Sequence, residues 1–266
     1  MFGCYRIPAR IGGGGAVRFS RRIHSPGMIG IARLALLLSW AVATAAQGLD
    51  DREQWVVEAE AAYASVESYS AIVHKQQRVA GKLLPQETIF LKFRKPFSMY
   101  LKWVSTPYED SELVYVVGWN KNRVRAHRGG FWRFVVRNLD LRAPELMVGN
   151  LRPVTDIGIG GLIKTVAVNV RSAIEAGYIS VAQLGEESVY GRKTRILDVD
   201  LPSGTVGGYG GYRMVINQDI ENKLLIRIHV YDRQDQLVEN YGYENLNLNA
   251  GLADSDFDPD NPAYRF

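Results

Sequence analysis

The fold class is indicated by the stretch Phe97-Ser98-Met99-Tyr100-Leu101-Lys102-Trp103. Every second position in it is a large apolar residue: Phe97, Met99, Leu101 and Trp103. Side chains of a β-strand point alternately to the two faces of a sheet, so this spacing predicts a half-buried strand. Similar segments occur at 70–79, 87–94, 112–117, 123–128 and 131–136, and again at 178–184, 193–200, 212–217, 223–231 and 237–244. The sequence therefore predicts a mainly β protein.

Turn residues separate these segments, for example Ala80-Gly81, Gly129-Gly130 and Tyr190-Gly191. Such short connections favour antiparallel neighbours, since parallel strands need crossovers of a dozen or more residues. Apolar residues at three- and four-residue spacing predict one helix over 50–68 and a second over 161–176. We expect residues 47–266 to form a single domain in which both helices pack on an antiparallel sheet.

The first 46 residues are typical of a secretory leader. They contain six arginines and no acidic residue, then an apolar run over 34–43, then the small residues of 43–46. The apolar run is about ten residues, too short for a bilayer core of ~30 Å. We expect a cleaved signal peptide over 1–46, whose true start is Met1 or Met28. We therefore expect a periplasmic protein with no stable transmembrane anchor. The alternative is that the leader is not cleaved and anchors the protein in the membrane.

Charge and reactive residues narrow the function classes. Beyond residue 46 the chain has 26 basic and 28 acidic residues, a balance that does not favour nucleic acid as a partner. Cys4 is the single cysteine and lies in the leader, so the exported chain has no disulfide and no thiolate site. His74, His127 and His229 lack metal-binding spacing, and no G-x-S-x-G elbow occurs. The sequence predicts neither an enzyme nor a protein that needs a cofactor or a metal.

Two features remain. The acidic series Asp254, Asp256, Asp258 and Asp260 lacks the later ligands of a calcium loop, and we expect this segment to cover the sheet. Aromatic residues concentrate between 90 and 134. They form either an ordinary core or the wall of an apolar cavity under a curved sheet that helices close only in part.

The order of these elements resembles the LolA-type lipoprotein carriers. The local match is FRKPFSMYLKW over 93–103, followed by Thr106-Pro107 and a polar turn at 119–122. The stretch over 241–252, with Asp256-Phe257-Asp258 and Asn261-Pro262, is similar to a bacterial branch of that superfamily whose function is unknown. The resemblance implies a strongly curved sheet forming an open half-barrel, with the two helices as a lid over a hydrophobic cavity for acyl chains.

The resemblance also implies site residues. Trp103 would line the cavity together with Phe97, Met99 and Leu101 of the same strand face, and Trp132 and Phe134 complete the predicted set. Arg94 and Lys95 are the candidates for the latch that holds the lid, although lysine lacks the bidentate fork of arginine. We expect a periplasmic protein that binds a lipid or lipoprotein acyl chain for transport or sensing. The alternative is an envelope protein-interaction module with a protein partner and no lipid ligand.

Overall fold

The structure is a computed structural model that describes residues 50–201 and 212–266. Its helices are α1 (Gln54–Ala64), α2 (Pro144–Met147) and α3 (Ile159–Glu175). Its strands are β1 (Ser68–Val79), β2 (Lys82–Leu83), β3 (Glu87–Arg94), β4 (Ser98–Trp103), β5 (Glu112–Val116), β6 (Arg123–His127), β7 (Arg137–Asp140), β8 (Ser180–Val189), β9 (Arg192–Asp200), β10 (Arg213–Asp219), β11 (Leu225–Tyr231) and β12 (Leu237–Leu248). The predicted leader lies outside the described residues.

The described strands form one antiparallel sheet in the order β7-β6-β5-β4-β3-β1-β12-β11-β10-β9-β8, with β2 paired to β1. The sheet does not close on itself, because β7 and β8 each have a neighbour on one side only. This architecture confirms the predicted fold class, a mainly β protein built on an open antiparallel sheet with a few helices.

The centre of the sheet is the pair β1 and β12. These two strands come from the two ends of the domain, and they are paired along most of their length, from Tyr69 opposite Leu248 to Gln77 opposite Glu239. On its other side β1 pairs with β3. Two runs of sequential hairpins, β1–β7 and β8–β12, therefore join into one sheet at this single seam.

The helices cover one face of the sheet, which we call the inner face. Met99, Leu101, Leu113 and Val124 are buried there in one cluster with α1 and α3. α3 contributes seven buried residues: Ile159, Leu162, Ile163, Val166, Ala167, Val170 and Ala173. Gly177 terminates this helix as predicted, with a φ of +74°. The N–H of Gly177 donates to the carbonyl of Ile174, and the N–H of Tyr178 donates to the carbonyl of Ala173. Glycine adopts this left-handed cap without steric cost.

The segment after β12 covers the opposite, outer face, as expected from the sequence. Phe257 is buried against Tyr100 and Val114, and the ring of Tyr264 stacks on that of Tyr100 with centroids 3.9 Å apart. Lys92 Nζ lies 2.6 Å from Asp256 Oδ1, so this carboxylate of the acidic series is paired within the chain. Strands β3 to β5 are consequently covered on both faces.

One predicted strand is wrong. Residues 131–136 do not form a strand; a 3-10 helix spans Gly130–Phe134, and the short strand β7 follows it. The apolar residues there are consecutive rather than alternating, and Gly130, with a φ of +65°, turns the chain out of the ladder of β6. The other strands appear where predicted, with bounds shifted by a few residues, the largest shift being β8, which continues to Val189.

Candidate functional site

The region with the expected features of a binding site lies between α3 and the inner face of β10, β11 and β12. Its walls include Leu162, Val166, Met214, Ile228 and Tyr241. The cavity that remains between these side chains is about 20 Å³, enough for one water molecule. The space between α3 and these strands is therefore filled by the protein's own side chains, and an acyl chain enters there only if α3 or its neighbours move.

Residues 149–158, which we call the lid segment, lead into α3 and cross the inner face above β1 and β12. Arg152 binds Glu239 in a bidentate pair: its Nε donates to Oε2 at 2.8 Å and its Nη2 to Oε1 at 2.9 Å. The side chains are 13% and 2% exposed. A planar guanidinium matches a carboxylate in this way, so the pair fixes the lid segment to the start of β12.

A second buried ion pair lies beside Asn150, near the start of the lid segment. Lys75 Nζ is 2.8 Å from Glu87 Oε1, and both side chains are about nine-tenths buried. Lys75 also donates to the side-chain oxygen of Asn150 in the lid segment. Trp103 Nε1 donates to Glu87 Oε2 at 2.6 Å, which satisfies the second carboxylate oxygen. The cluster joins β1, β3, β4 and the lid segment.

Tyrosine hydroxyls supply the remaining ties. Tyr243 donates to the carbonyl of Ile157 at 2.8 Å, and Tyr69 accepts from the N–H of Ile159 at 2.9 Å. Burial raises the pKa of both hydroxyls well above the ordinary value of tyrosine. They therefore remain neutral hydrogen-bonding groups at any physiological pH and hold the start of α3 on the sheet.

The structure brings together four of the six predicted cavity residues. Met99 and Leu101 are buried on the inner face, and Phe97 and Trp103 pack at the margin of the same cluster. The period of two explains why the sequence assigned them to one face, but none of them lines the cavity between α3 and β10 to β12. Trp132 and Phe134 lie elsewhere: they are 60% and 78% exposed on the 3-10 helix after β6 and do not line the interior.

The two latch candidates point to opposite faces, as adjacent residues at the end of a strand do. Arg94 reaches the outer face, where Nη2 lies 2.5 Å from Asp254 Oδ1 and Nη1 donates to the carbonyl of Leu252. Lys95 reaches α1, and its Nζ donates to the last-turn carbonyls of Tyr63 and Ala64 at 2.9 and 3.0 Å. Lys95 thus holds a helix, whereas Arg94 holds the segment after β12.

Sequence reasoning missed the ion pairs Arg152–Glu239 and Lys75–Glu87. A signal was present, because Lys75 is in phase with the inward residues Ala71 and Val73, and Glu87 with Ile89 and Leu91. A charged residue at an inward position of a strand needs a partner in the interior. The phase of the strand therefore pointed to buried pairs that composition alone does not reveal.

The described residues contain no group of three potential metal-ligating side chains. No helix within 50–201 or 212–266 has the length and apolar character needed to cross a membrane.

The protein is thus a mainly β protein in which helices and a tied lid segment cover the apolar inner face of an open antiparallel sheet. The chain belongs to the family described as Protein of unknown function (DUF1571), whose family model matches residues 66–266. No curated protein matches the chain.

Several solved structures are similar in fold. Lipoprotein LppX of Mycobacterium tuberculosis is 12% identical, with a TM-score of 0.47 over 76% of this chain and 97% of that one. An outer membrane lipoprotein-sorting protein domain of Vibrio parahaemolyticus is 11% identical, with a TM-score of 0.37 over 78% and 97%. MucB in the Pseudomonas aeruginosa MucA/MucB complex is 17% identical, with a TM-score of 0.46 over 79% and 61%.

This chain spans about three-fifths of the length of MucB. The family match confirms the branch of unknown function expected from the sequence, and the open antiparallel sheet with its helices confirms the expected fold. At these identities and scores the likeness concerns the fold alone.

Proposed function

We propose that this protein is an envelope binding protein that holds an acyl chain of a lipid or lipoprotein between α3 and the inner face of the sheet. The observation that carries the proposal is the nature of that contact. α3 meets the sheet through seven buried apolar side chains, and the adjoining lid segment is held by a small set of polar ties. The apolar contacts of α3 with the sheet can be replaced by contacts with an acyl chain, and no covalent bond has to form or break.

The energetics are favourable for such an exchange. Each methylene that moves from water to the interior contributes ~0.8 kcal/mol, so an acyl chain offers several kcal/mol to offset the displacement of α3. The buried pairs Arg152–Glu239 and Lys75–Glu87 set the opposing cost, because separating them leaves charges in the interior. We infer that the lid segment loosens together with α3 when a chain enters, with transport or sensing as the use of the bound chain.

The predicted leader supports a periplasmic location, and Phe97, Met99, Leu101 and Trp103 remain proposed cavity residues. Trp103 is proposed to stay in place through its bond to Glu87. We propose no catalytic role for any side chain.

Uptake of NBD-labelled palmitate by the purified protein tests this proposal. Val166 lines the cavity and is 1% exposed, whereas Val168 on the same helix is 57% exposed. Val166→Phe should lower the affinity for the probe by filling the space, and the matched control Val168→Phe should bind as the wild type does. Native mass spectrometry of protein purified from an exporting host should detect co-purified species of lipid mass.

Folded wild-type protein that takes up no probe and carries no lipid contradicts the proposal. If Val166→Phe fails to fold, the double variant Arg152→Met/Glu239→Leu provides the second test. Removal of this tie should speed probe uptake while the interior remains apolar.

A second candidate is an interaction module, favoured by one observation. β8 lies at the edge of the sheet over ten residues, and Leu184 in its middle is 57% exposed. An extended segment of a partner can add to such an edge as a further strand. Under this alternative Leu184→Lys abolishes capture of an envelope partner, and probe uptake is absent in all variants.

A further inference from the structure

The connection between β6 and β7 exposes an unusual set of apolar side chains. Phe131 is 86% exposed, Trp132 60%, Phe134 78% and Val135 51%. Single exposed apolar residues are common on protein surfaces, but a contiguous group of large aromatic residues marks an interaction site. We call residues 130–135 the aromatic loop.

The base of the aromatic loop is fixed, so its tip is held away from the sheet. The N–H of Gly129 donates to Ser111 Oγ at 3.0 Å, and a Cβ at this position would lie 1.8 Å from the carbonyl oxygen of Glu109. Only glycine permits this approach of the two connections. Within the loop the ring of Phe131 meets Trp132 edge-on, with centroids 5.7 Å apart, and Arg133 lies over Phe134. The rings contact one another and an arginine instead of the core.

The surroundings of the loop are cationic. Residues 123–148 contain six arginines and two carboxylates, although the chain beyond residue 46 is close to neutral. The two carboxylates, Asp140 and Glu145, pair with Arg123 and Arg137. Within the described part of the chain, none of the salt bridges involves the remaining exposed arginines of this region, Arg128, Arg133 and Arg142.

We propose that the aromatic loop docks the protein on an anionic membrane surface. Tryptophan and phenylalanine partition into the interfacial zone of a bilayer, and arginines beside them hydrogen-bond lipid phosphates. Both parts of this chemistry are present here on one projecting connection. The proposal concerns the outside of the protein and does not depend on acyl binding in the interior.

The size of the surface favours a membrane over a protein partner. At ~200 Å² per aromatic side chain, the exposed parts of the three rings offer roughly 450 Å². A stable protein interface needs about 800 Å² on each partner. A small convex tip is sufficient for insertion between lipid headgroups, where the surrounding phase adapts to its shape.

Docking through this loop orients the rest of the molecule. β6 ends at His127 opposite the start of β5 at Glu112, so the aromatic loop shares one end of the sheet with the β4–β5 connection. Exposed Val104 and Tyr108 lie in that connection, and Tyr108 also borders Gly149 at the beginning of the lid segment. The docked protein therefore presents the beginning of its lid segment to the lipid surface.

A site-specific fluorophore tests the proposal. In a Cys4→Ser background, Val135→Cys and Val117→Cys are each labelled with NBD; these valines are 51% and 48% exposed, and Val117 lies in the connection at the opposite end of the sheet. The vesicles contain phosphatidylcholine and about 30 mol% phosphatidylglycerol, an anionic lipid. We expect a blue shift and stronger emission from the label at position 135 and no change from the label at position 117.

Co-sedimentation with the same vesicles measures affinity. We expect Phe131→Ser/Trp132→Ser/Phe134→Ser to bind at least tenfold more weakly, and Trp119→Ser at the opposite end to bind as the wild type does. Arg128→Gln/Arg133→Gln/Arg142→Gln should lose the preference for anionic over zwitterionic vesicles, as should the wild type in high salt. Equal fluorescence changes at 135 and 117 overturn the proposal. Vesicle binding that the aromatic triple variant leaves unchanged also overturns it. The same holds if the aromatic residues mediate self-association or capture of a protein and the wild type does not bind vesicles.

Discussion

Replacement of Arg152 by methionine gives the sharpest test of how the lid segment is held. The variant keeps an unbranched apolar stem but removes the guanidinium, which leaves Glu239, 1% exposed, without its bidentate partner. Loss of one partner of a buried ion pair costs about 3–5 kcal/mol, because the other charge stays in the interior uncompensated. At ~2–4 °C per kcal/mol for a domain of this size, the melting temperature should fall by roughly 6–20 °C.

The double variant Arg152→Met/Glu239→Leu separates the charge effect from loss of packing. It removes both charges, and exchange of a buried pair for apolar residues is commonly neutral or stabilising. We expect the free energy of unfolding to recover most of the loss seen in Arg152→Met. Arg137→Met is the matched control: its pair with Glu145 is about half exposed, and its removal should leave stability near that of the wild type.

Urea denaturation followed by circular dichroism measures all three variants, and hydrogen exchange locates the effect. Exchange should accelerate first in the lid segment and at the start of α3. The reasoning is refuted if Arg152→Met lies within about 1 kcal/mol of the wild type, or if the double variant is no more stable than Arg152→Met.

Three further predictions concern other parts of the domain. Leu101→Ala removes a fully buried side chain from the inner face and should cost about 2–5 kcal/mol in urea denaturation, whereas a cost below that of an exposed substitution would contradict the assigned core. Lys95→Met deletes the donor to the last-turn carbonyls of α1 and should raise hydrogen exchange in that helix; unchanged exchange would exclude a capping role. Burial lowers the pKa of His127, but the carboxylate of Glu112 and the adjacent carbonyl outweigh it and leave the pKa raised. The stability that His127 contributes should be complete below pH ~6.5 and lost as pH rises through the folded-state pKa, so His127→Gln should remove this slope from the pH profile of unfolding.

The sequence predicted the central strands well because their alternation is strict. β3 has the predicted bounds, and Met99 and Leu101 lie on the inner face, since period two assigns neighbouring side chains to opposite faces. Gly177 ends α3 as predicted. Local pattern was sufficient for these features because each depends only on backbone geometry within a few residues.

The features that the sequence did not predict depend on partners distant in the chain. Arg152 and Glu239 are 87 residues apart, and no local pattern pairs them. The aromatic loop was predicted as a strand because Phe131, Trp132 and Phe134 have high strand propensity. Its conformation is set instead by Gly129 and by the connection from β4 to β5, a tertiary effect that overrides propensity.

The pairing of β1 with β12 has a consequence for the order of events on the ribosome. A growing chain presents β1 early, yet the strand that completes its pairing is made about 170 residues later, as the bond between His74 and Glu244 illustrates. Until then one edge of β1 has no neighbour, and the two runs of hairpins have no common core. Such non-local closure slows folding, so the central seam of the sheet forms only after nearly the whole domain has been synthesised.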